Sequence, residues 1–258
     1  MAKGVLVDIP KCIGCESCTV ACKLWNELEW DPQEKAKTAA DRAKEPNKGL
    51  WPEEWTSINR YELQTKESTV WRFVKTQCFH CEEPACVSAC FSKAIQKLPQ
   101  GPVIYDQNLC VGCRYCIMAC PFDILRYEWK KAIPGVRKCQ MCPTRVANNQ
   151  EPACVAACPT GAITFGDRDQ LLAEAKKRIQ ENGYIDRVFG EKEGGGTSWL
   201  YISDTPFEQM RFRTDVTTKP LPSYTEKYMK ITPFVGIGWA AILAGLYVYF
   251  NKKKGPLD

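Results

Sequence analysis

Residues 12–22 read Cys-Ile-Gly-Cys-Glu-Ser-Cys-Thr-Val-Ala-Cys, placing Cys12, Cys15, Cys18 and Cys22 at the spacing C-x2-C-x2-C-x3-C. Three thiols at i, i+3 and i+6 cannot pair among themselves without strain, because a disulfide demands particular Cα separations and directions. A tight loop can instead aim all three at one compact centre. The same spacing returns at Cys110, Cys113, Cys116 and Cys120, followed by Pro121. Cys78, Cys81, Cys86 and Cys90 read C-x2-C-x4-C-x3-C, and Cys139, Cys142, Cys154 and Cys158 read C-x2-C-x11-C-x3-C before Pro159. The chain has 16 cysteines in 258 residues, and the four quartets use every one.

Soft thiolates select iron–sulfur centres or zinc. A zinc site closes one tetrahedron with two C-x2-C pairs and has no use for the third and fourth cysteines of these runs. C-x2-C-x2-C-x3-C-P is the bacterial ferredoxin run for [4Fe–4S], in which the fourth cysteine serves the other cluster of a pair. Four quartets therefore predict four [4Fe–4S] clusters in two tandem ferredoxin-like modules of α+β class. Between Cys90 and Cys110 lie an apolar strand (Ala94, Ile95), a Pro/Gly turn over residues 99–102 and a second strand (Val103, Ile104, Tyr105), the hairpin that joins two ferredoxin halves. The interval from Cys120 to Cys139 is less hairpin-like. Pairing the second quartet with the third is favoured, leaving the first for the fourth. Val5–Asp8 and Ala162–Phe165 flank those outer quartets as strands placed to pair. Spacing by itself leaves the pairing open.

Duplication supports this organisation: Glu-Pro-Ala-Cys-Val-Ser-Ala-Cys at 83–90 recurs as Glu-Pro-Ala-Cys-Val-Ala-Ala-Cys at 151–158, and Cys-Ile-Gly-Cys at 12–15 echoes Cys-Val-Gly-Cys at 110–113. Gly14 and Gly112 fall where a loop must bring backbone close to its centre with φ > 0. The expected divisions are 1–22 with 139–168 as one module, 23–77 as an insertion and 78–138 as the other module. After these come 169–230 as helix, loop and connector, 231–250 as a transmembrane helix, and 251–258 as a tail. The insertion carries Trp25, Trp30, Trp51, Trp55 and Trp71 around a polar stretch at 31–48. Those aromatics are expected to cover the clusters, the alternative being a partner interface.

Apolar residues at 45% and charged residues at 25% exclude a disordered chain. The net charge of +5 is too mild for a dedicated nucleic-acid binder. His80 is the one histidine, so no Ser/His/Asp set exists, and no phosphate loop is present. As a ligand His80 would make its quartet five-membered, so a hydrogen-bonding or packing role is expected. Residues 169–182 predict an amphipathic helix with Leu172, Ala175 and Ile179 on one stripe and Gly183 after its end. Residues 191–198, with Gly194, Gly195 and Gly196, read as a loop, and 204–230, with Pro206, Pro220 and Pro222, as an extended connector.

Ile231–Phe250 is a run of 20 residues without a charge, roughly 30 Å as a helix and enough to cross a bilayer. Tyr247, Tyr249 and Phe250 stand near one interface. Gly236, Ala240 and Ala244 form a small-residue face on which another membrane helix could pack. Lys252, Lys253 and Lys254 beyond the helix, against Lys227 and Lys230 before it, favour a cytoplasmic C-terminus. The cluster domain would then lie outside the cytoplasmic membrane. Met1–Asp8 lacks an apolar core and a twin-arginine pair, so export would depend on a partner that has a signal.

The motifs DIPKCIGCESCTVAC, QCFHCEEPACVSAC, LCVGCRYCIMACPFDI, KCQMC and QEPACVAACPTGAITFG, with the terminal helix, resemble the iron–sulfur (beta) subunits of respiratory formate dehydrogenase N over nearly the whole chain. Related four-cluster subunits serve other molybdenum or tungsten oxidoreductases and membrane nickel–iron hydrogenases. The resemblance implies an electron-transfer role without catalysis, between a catalytic molybdenum, tungsten or nickel–iron subunit and a membrane cytochrome b-type or quinone-reactive subunit. It also implies ligand sets. Cys12, Cys15, Cys18 and Cys158 would hold one cluster, and Cys22, Cys139, Cys142 and Cys154 a second. Cys78, Cys81, Cys86 and Cys120 would hold a third, and Cys90, Cys110, Cys113 and Cys116 a fourth. Phe91 stands where that family often has proline.

Overall fold

In the computed structural model, which describes residues 2–30, 49–64 and 69–253, strand β1 (Lys3–Asp8) leads into the first cysteine loop and helix α1 (Ser17–Trp25). A long hairpin follows, β2 (Thr56–Gln64) with β3 (Thr69–Gln77). The middle of the chain contains α2 (Ala85–Ser88), the hairpin β4 (Ile95–Lys97) and β5 (Val103–Tyr105), and α3 (Tyr115–Ala119). A short ladder, β6 (Arg126–Tyr127) with β7 (Val136–Arg137), precedes α4 (Pro143–Ala147) and α5 (Ala153–Ala156). Then come β8 (Ile163–Asp167), α6 (Arg168–Asn182), β9 (Trp199–Ile202) and α7 (Pro222–Lys253). The chain divides into two compact units, 1–220 and 221–258.

The first unit is organised by a three-stranded sheet in the order β8-β1-β9. β1 runs antiparallel to β8, with Val5 opposite Phe165 and Val7 opposite Ile163, so the two outer strands pair as their flanking positions suggested. β9 pairs with the other edge of β1 in parallel, Val5 opposite Trp199 and Val7 opposite Tyr201. Side chains alternate across a strand. Val5, Val7, Trp199 and Tyr201 face the core that contains Cys18, Cys22, Cys139 and Cys154. Leu6, Leu200 and Ile202 face α6. Both faces are buried, so β1 and β9 read as unbroken apolar runs rather than alternating ones. For that reason the four-residue β9 had no periodic signal and was not expected.

Helix α6 ends at Gly183, which closes it with φ +63. Its buried row is Leu171, Ala175 and Ile179, with Leu172 half-buried beside it. The expected stripe was therefore one residue off at its first member: the i, i+4, i+8 row faces the sheet, and Leu172 sits at its margin. The connector also departs from expectation. Phe207–Met210 forms a 3-10 turn that buries both end residues. α7 begins at Pro222, where the missing N–H is one the helix leaves unpaired anyway. Pro233, the third residue of the expected span, lies inside the helix. The apolar segment 231–250 is thus the later part of a longer helix, and residues 222–252 are long and apolar enough to cross a membrane.

Only the hairpin β4–β5 was expected within the middle of the chain, and it forms with Ile95 opposite Tyr105. The 120–139 interval adds a two-pair ladder, Arg126 with Arg137 and Tyr127 with Val136. In the insertion, β2 and β3 pair over nine residues from Thr56–Gln77 to Gln64–Thr69. Residues 31–48 lie outside the described residues. Of the five insertion tryptophans only Trp55 is buried; Trp25, Trp51 and Trp71 are exposed. Cations lie against them, Arg145 over Trp25 at 4.8 Å and Arg60 over Trp71 at 3.7 Å. Phe73 of β3 packs on the first cysteine loop at Gly14.

Gly14 and Gly112 adopt φ +72 and +73. A Cβ on Gly14 would clash with the Phe73 ring, whereas one on Gly112 would meet only the Tyr127 hydroxyl at 3.3 Å. The left-handed conformation costs each alanine roughly 1–2 kcal/mol, and the ring clash adds about 1–3 kcal/mol at Gly14 alone. Thermal unfolding of the purified protein should show Gly14→Ala clearly less stable than Gly112→Ala. Equal losses would contradict the packing of Phe73 on the first loop.

Candidate iron–sulfur centres

All 16 cysteines are free thiols. Three cavities collect twelve of them. Cys12, Cys15, Cys18 and Cys158 line one, together with Ile13, Ile58 and Ile163. Cys22, Cys139, Cys142 and Cys154 line another beside Asn26, Lys75 and Trp199. Cys78, Cys81, Cys86 and Cys120 line a third, closed by Phe79, Pro84, Phe122 and Leu125. The remaining four also stand together, since Cys116 lies in the field of Cys90, Cys110 and Cys113. Among the described residues no three His, Cys, Asp or Glu side chains converge closely enough to hold a single metal ion. In three of the four groups the thiols instead line a shared cavity, four to each.

Left-handed residues shape these cradles. Glu16 (φ 59) and Arg114 (φ 62) occupy equivalent places before α1 and α3, and Met141 and Cys142 (φ 58 and 46) precede α4. Such turns point successive backbone N–H groups to one side, making a concavity for negative charge. The amides of Gly112 and Met141 donate to Cys110 Sγ and Cys139 Sγ, each at 3.4 Å. Asn26 Nδ2 lies 3.5 Å from Cys22 Sγ.

Burial dominates the acidity of the most enclosed thiols, Cys18, Cys22 and Cys86 among them. It pushes Cys18 up to about 11 and Cys22 up to about 12, with Lys75 opposing it at both. Cys86 rises to about 12 through burial and the neighbouring Cys78, with Lys138 opposing. Burial and the adjacent Cys90, Cys110 and Cys113 raise Cys116 to about 11. Cys90 and Cys158 move the other way. Burial disfavours their thiolates, but hydrogen bonds from the Ser92 and Thr160 hydroxyls and from backbone amides outweigh it. Bare thiols so buried would stay protonated near neutral pH. Thiolate ligation releases those protons and ties the site's formation to its occupant. Free thiols grouped in fours, most of them buried or half-buried and some with amide donors beside them, fit the iron–sulfur cluster, whose ligands are thiolates.

His80 is fully buried, and its Nδ1 accepts from the Val103 amide at 2.8 Å. Burial, with Lys138 and Lys97 adding to it, holds its pKa well below the ordinary value. The ring is neutral with its proton on Nε2, and it braces β5 against the second quartet. The lysines around the cradles had no signature that singled them out in the sequence. Lys75 and Lys138 are 2% exposed. Lys138 Nζ donates to the carbonyls of Val103 and Cys139, and Lys97 Nζ to that of Cys81 at 2.9 Å. An aromatic group seals the core between cradles: Phe79 packs on Phe122 with centroids 4.5 Å apart, and Phe189 lies against Phe207 and Phe212.

Residues 11–94 and 69–168 each match the 4Fe-4S dicluster domain. The chain is 42% identical over 254 residues to a protein of Nitratidesulfovibrio vulgaris, covering 97% of this chain and 67% of that one. It is 33% identical to the hydrogenase-2 operon protein HybA of Escherichia coli O157:H7, covering 80% and 71%. The formate dehydrogenase-O iron–sulfur subunit of Escherichia coli K12 is likewise 33% identical, covering 95% and 81%. The nitrate-inducible formate dehydrogenase subunit of that strain stands level with it at 34%, so the likeness to formate dehydrogenase N broadens to several branches. The two dicluster domains and 16 cysteines make [4Fe–4S] clusters the cofactors, in a number consistent with four. This chain belongs to the family of 4Fe-4S dicluster proteins that includes the formate dehydrogenase iron–sulfur subunits and HybA.

Proposed function

We propose that the chain is the electron-conducting subunit of a membrane-anchored respiratory oxidoreductase of the formate dehydrogenase kind. It conducts between a catalytic molybdenum or tungsten subunit and a membrane cytochrome b-type or quinone-reactive subunit. The observation that carries this reading is the gathering of 16 thiols into four groups. When bound, each cluster supplies a one-electron redox site whose potential lies in the range of roughly −700 to +450 mV, set by hydrogen bonds, burial and charge.

The proposed ligand sets are Cys12, Cys15, Cys18 and Cys158; Cys22, Cys139, Cys142 and Cys154; Cys78, Cys81, Cys86 and Cys120; and Cys90, Cys110, Cys113 and Cys116. The lining of three cavities and the neighbours of Cys116 support them. In this reading, residues 1–22 with 139–168 form one module and 78–138 the other. The amides of Gly112 and Met141 stabilise thiolates, and the Phe79–Phe122 stack keeps water from the space between sites. The similarity to HybA supports an alternative catalytic partner of nickel–iron type.

The apolar length of α7 supports a single membrane span. We propose that its C-terminus is cytoplasmic, by the excess of Lys252, Lys253 and Lys254 over Lys227 and Lys230, which sets the cluster unit on the outer side. A fluorescent protein fused after Asp258 should then fold and fluoresce. A dark fusion that becomes active when replaced by a periplasmic phosphatase would reverse the orientation.

Metal analysis of the complex, purified anaerobically in mild detergent, should give about 16 iron per copy of this chain, four for each of four clusters. Molybdenum or tungsten alongside supports the formate dehydrogenase branch and nickel the hydrogenase branch. About half that iron would refute the four ligand sets. Cys113→Ser should remove or impair one cluster and abolish quinone reduction, while the catalytic partner still reduces an artificial acceptor. Equal loss of both activities in an assembled complex would overturn the conducting role.

A further inference from the structure

Lys75 lies on β3, in the insertion rather than in either cysteine-bearing segment, yet its side chain reaches the first pair of cradles. It is 2% exposed. Its Nζ donates to Thr56 Oγ1 and, at 3.1 Å, to Gln77 Oε1, and it stands 5.0 Å from the centre of the Trp199 ring. Among the described residues no carboxylate forms an ion pair with it. A cation so placed is costly unless negative charge offsets it. That charge is close by. Lys75 lines the cavity of Cys22, Cys139, Cys142 and Cys154, and its field also reaches Cys12 and Cys18 of the neighbouring cavity.

We propose that Lys75 is a fixed counter-charge shared by the two clusters of these adjacent cradles, setting their reduction potentials together. The inference rests on the cluster-holding reading above. A cluster held by four thiolates is anionic and gains one further negative charge when it accepts an electron from the catalytic side. No proton needs to move. A nearby permanent cation stabilises the reduced form more than the oxidised one, and so raises the potential. Because Lys75 reaches both cradles, it raises both sites, and the insertion serves the electron path as well as covering it.

The test is a redox titration of the purified complex, followed by electron paramagnetic resonance, for Lys75→Met, Lys75→Gln and Lys75→Arg, with iron content measured first. Wild-type iron far below four clusters would defeat the cluster reading itself, separately from this inference. With iron retained, both neutral variants should make reduction of two of the four clusters about tenfold less favourable, some 59 mV for a one-electron couple. Lys75→Arg should stay near wild type. Unchanged potentials, or equal shifts in all four clusters, would overturn the proposal. If the neutral variants lose iron while Lys75→Arg keeps it, the charge is required for holding as well as tuning, and the proposal stands. If all three lose iron alike, side-chain shape and not charge is what matters, and it falls.

Discussion

The antiparallel ladder of β1 on β8 is the contact on which the first unit depends. It joins residues 3–7 to 163–167, and so brings the cysteine loop near the N-terminus towards the segment that holds α5 and, just beyond it, Cys158. Cys158 is thereby brought towards Cys12 and Cys154 towards Cys22, with α1 also packing directly on α5. The sheet then has two faces to satisfy. Val5, Val7, Trp199 and Tyr201 close the thiol-bearing core, while Leu6, Leu200 and Ile202 seat α6. One strand thus connects the cradles to the helix that shields the sheet's far side.

Electrostatics sets the second constraint. Thiols withdrawn from water resist ionisation, yet ligation requires thiolates. The structure meets this with amides inside the cysteine runs and with lysines placed beside them. Lys75 comes from the insertion hairpin, Lys97 from β4 and Lys138 from the residue before Cys139. Each donates to neutral oxygens near a cradle. The two pseudo-equivalent cysteines Cys90 and Cys158 show another solution, with a hydroxyl two residues on, Ser92 or Thr160, favouring the thiolate. The device recurs directly after the two copies of the repeated Glu-Pro-Ala-Cys-Val-x-Ala-Cys segment.

Much of this was legible in the chain because spacing is a local property. The cysteine intervals, the β4–β5 hairpin, the Gly183 end of α6 and the apolar C-terminal run all depend on residues close in sequence. What escaped depends on packing. Trp199–Ile202 is a strand because β1 offers it an edge, and its four buried residues lack the alternation that marks a half-exposed strand. Lys75 sits between Val74 and Thr76 in a segment where a lysine reads as solvent-facing, and only the approach of the cysteine segments buries it. The start of α7 at Pro222 was hidden by prolines that suggest a connector, although proline is well suited to a helix's first turn. Composition marked the tryptophans of the insertion, most of which are exposed, but not Phe73, which packs on Gly14.

The separation of β1 from its partners also has a consequence in time. During synthesis at roughly 5–20 residues per second, β1 would wait on the order of ten to thirty seconds for β8 to be made, and longer for β9. The β4–β5 hairpin can close as soon as Tyr105 is available, because its turn is short. The nascent chain therefore has its interior ready before its ends. Its first cysteine loop stays open longest, so the N-terminal cradle is the last to gain walls.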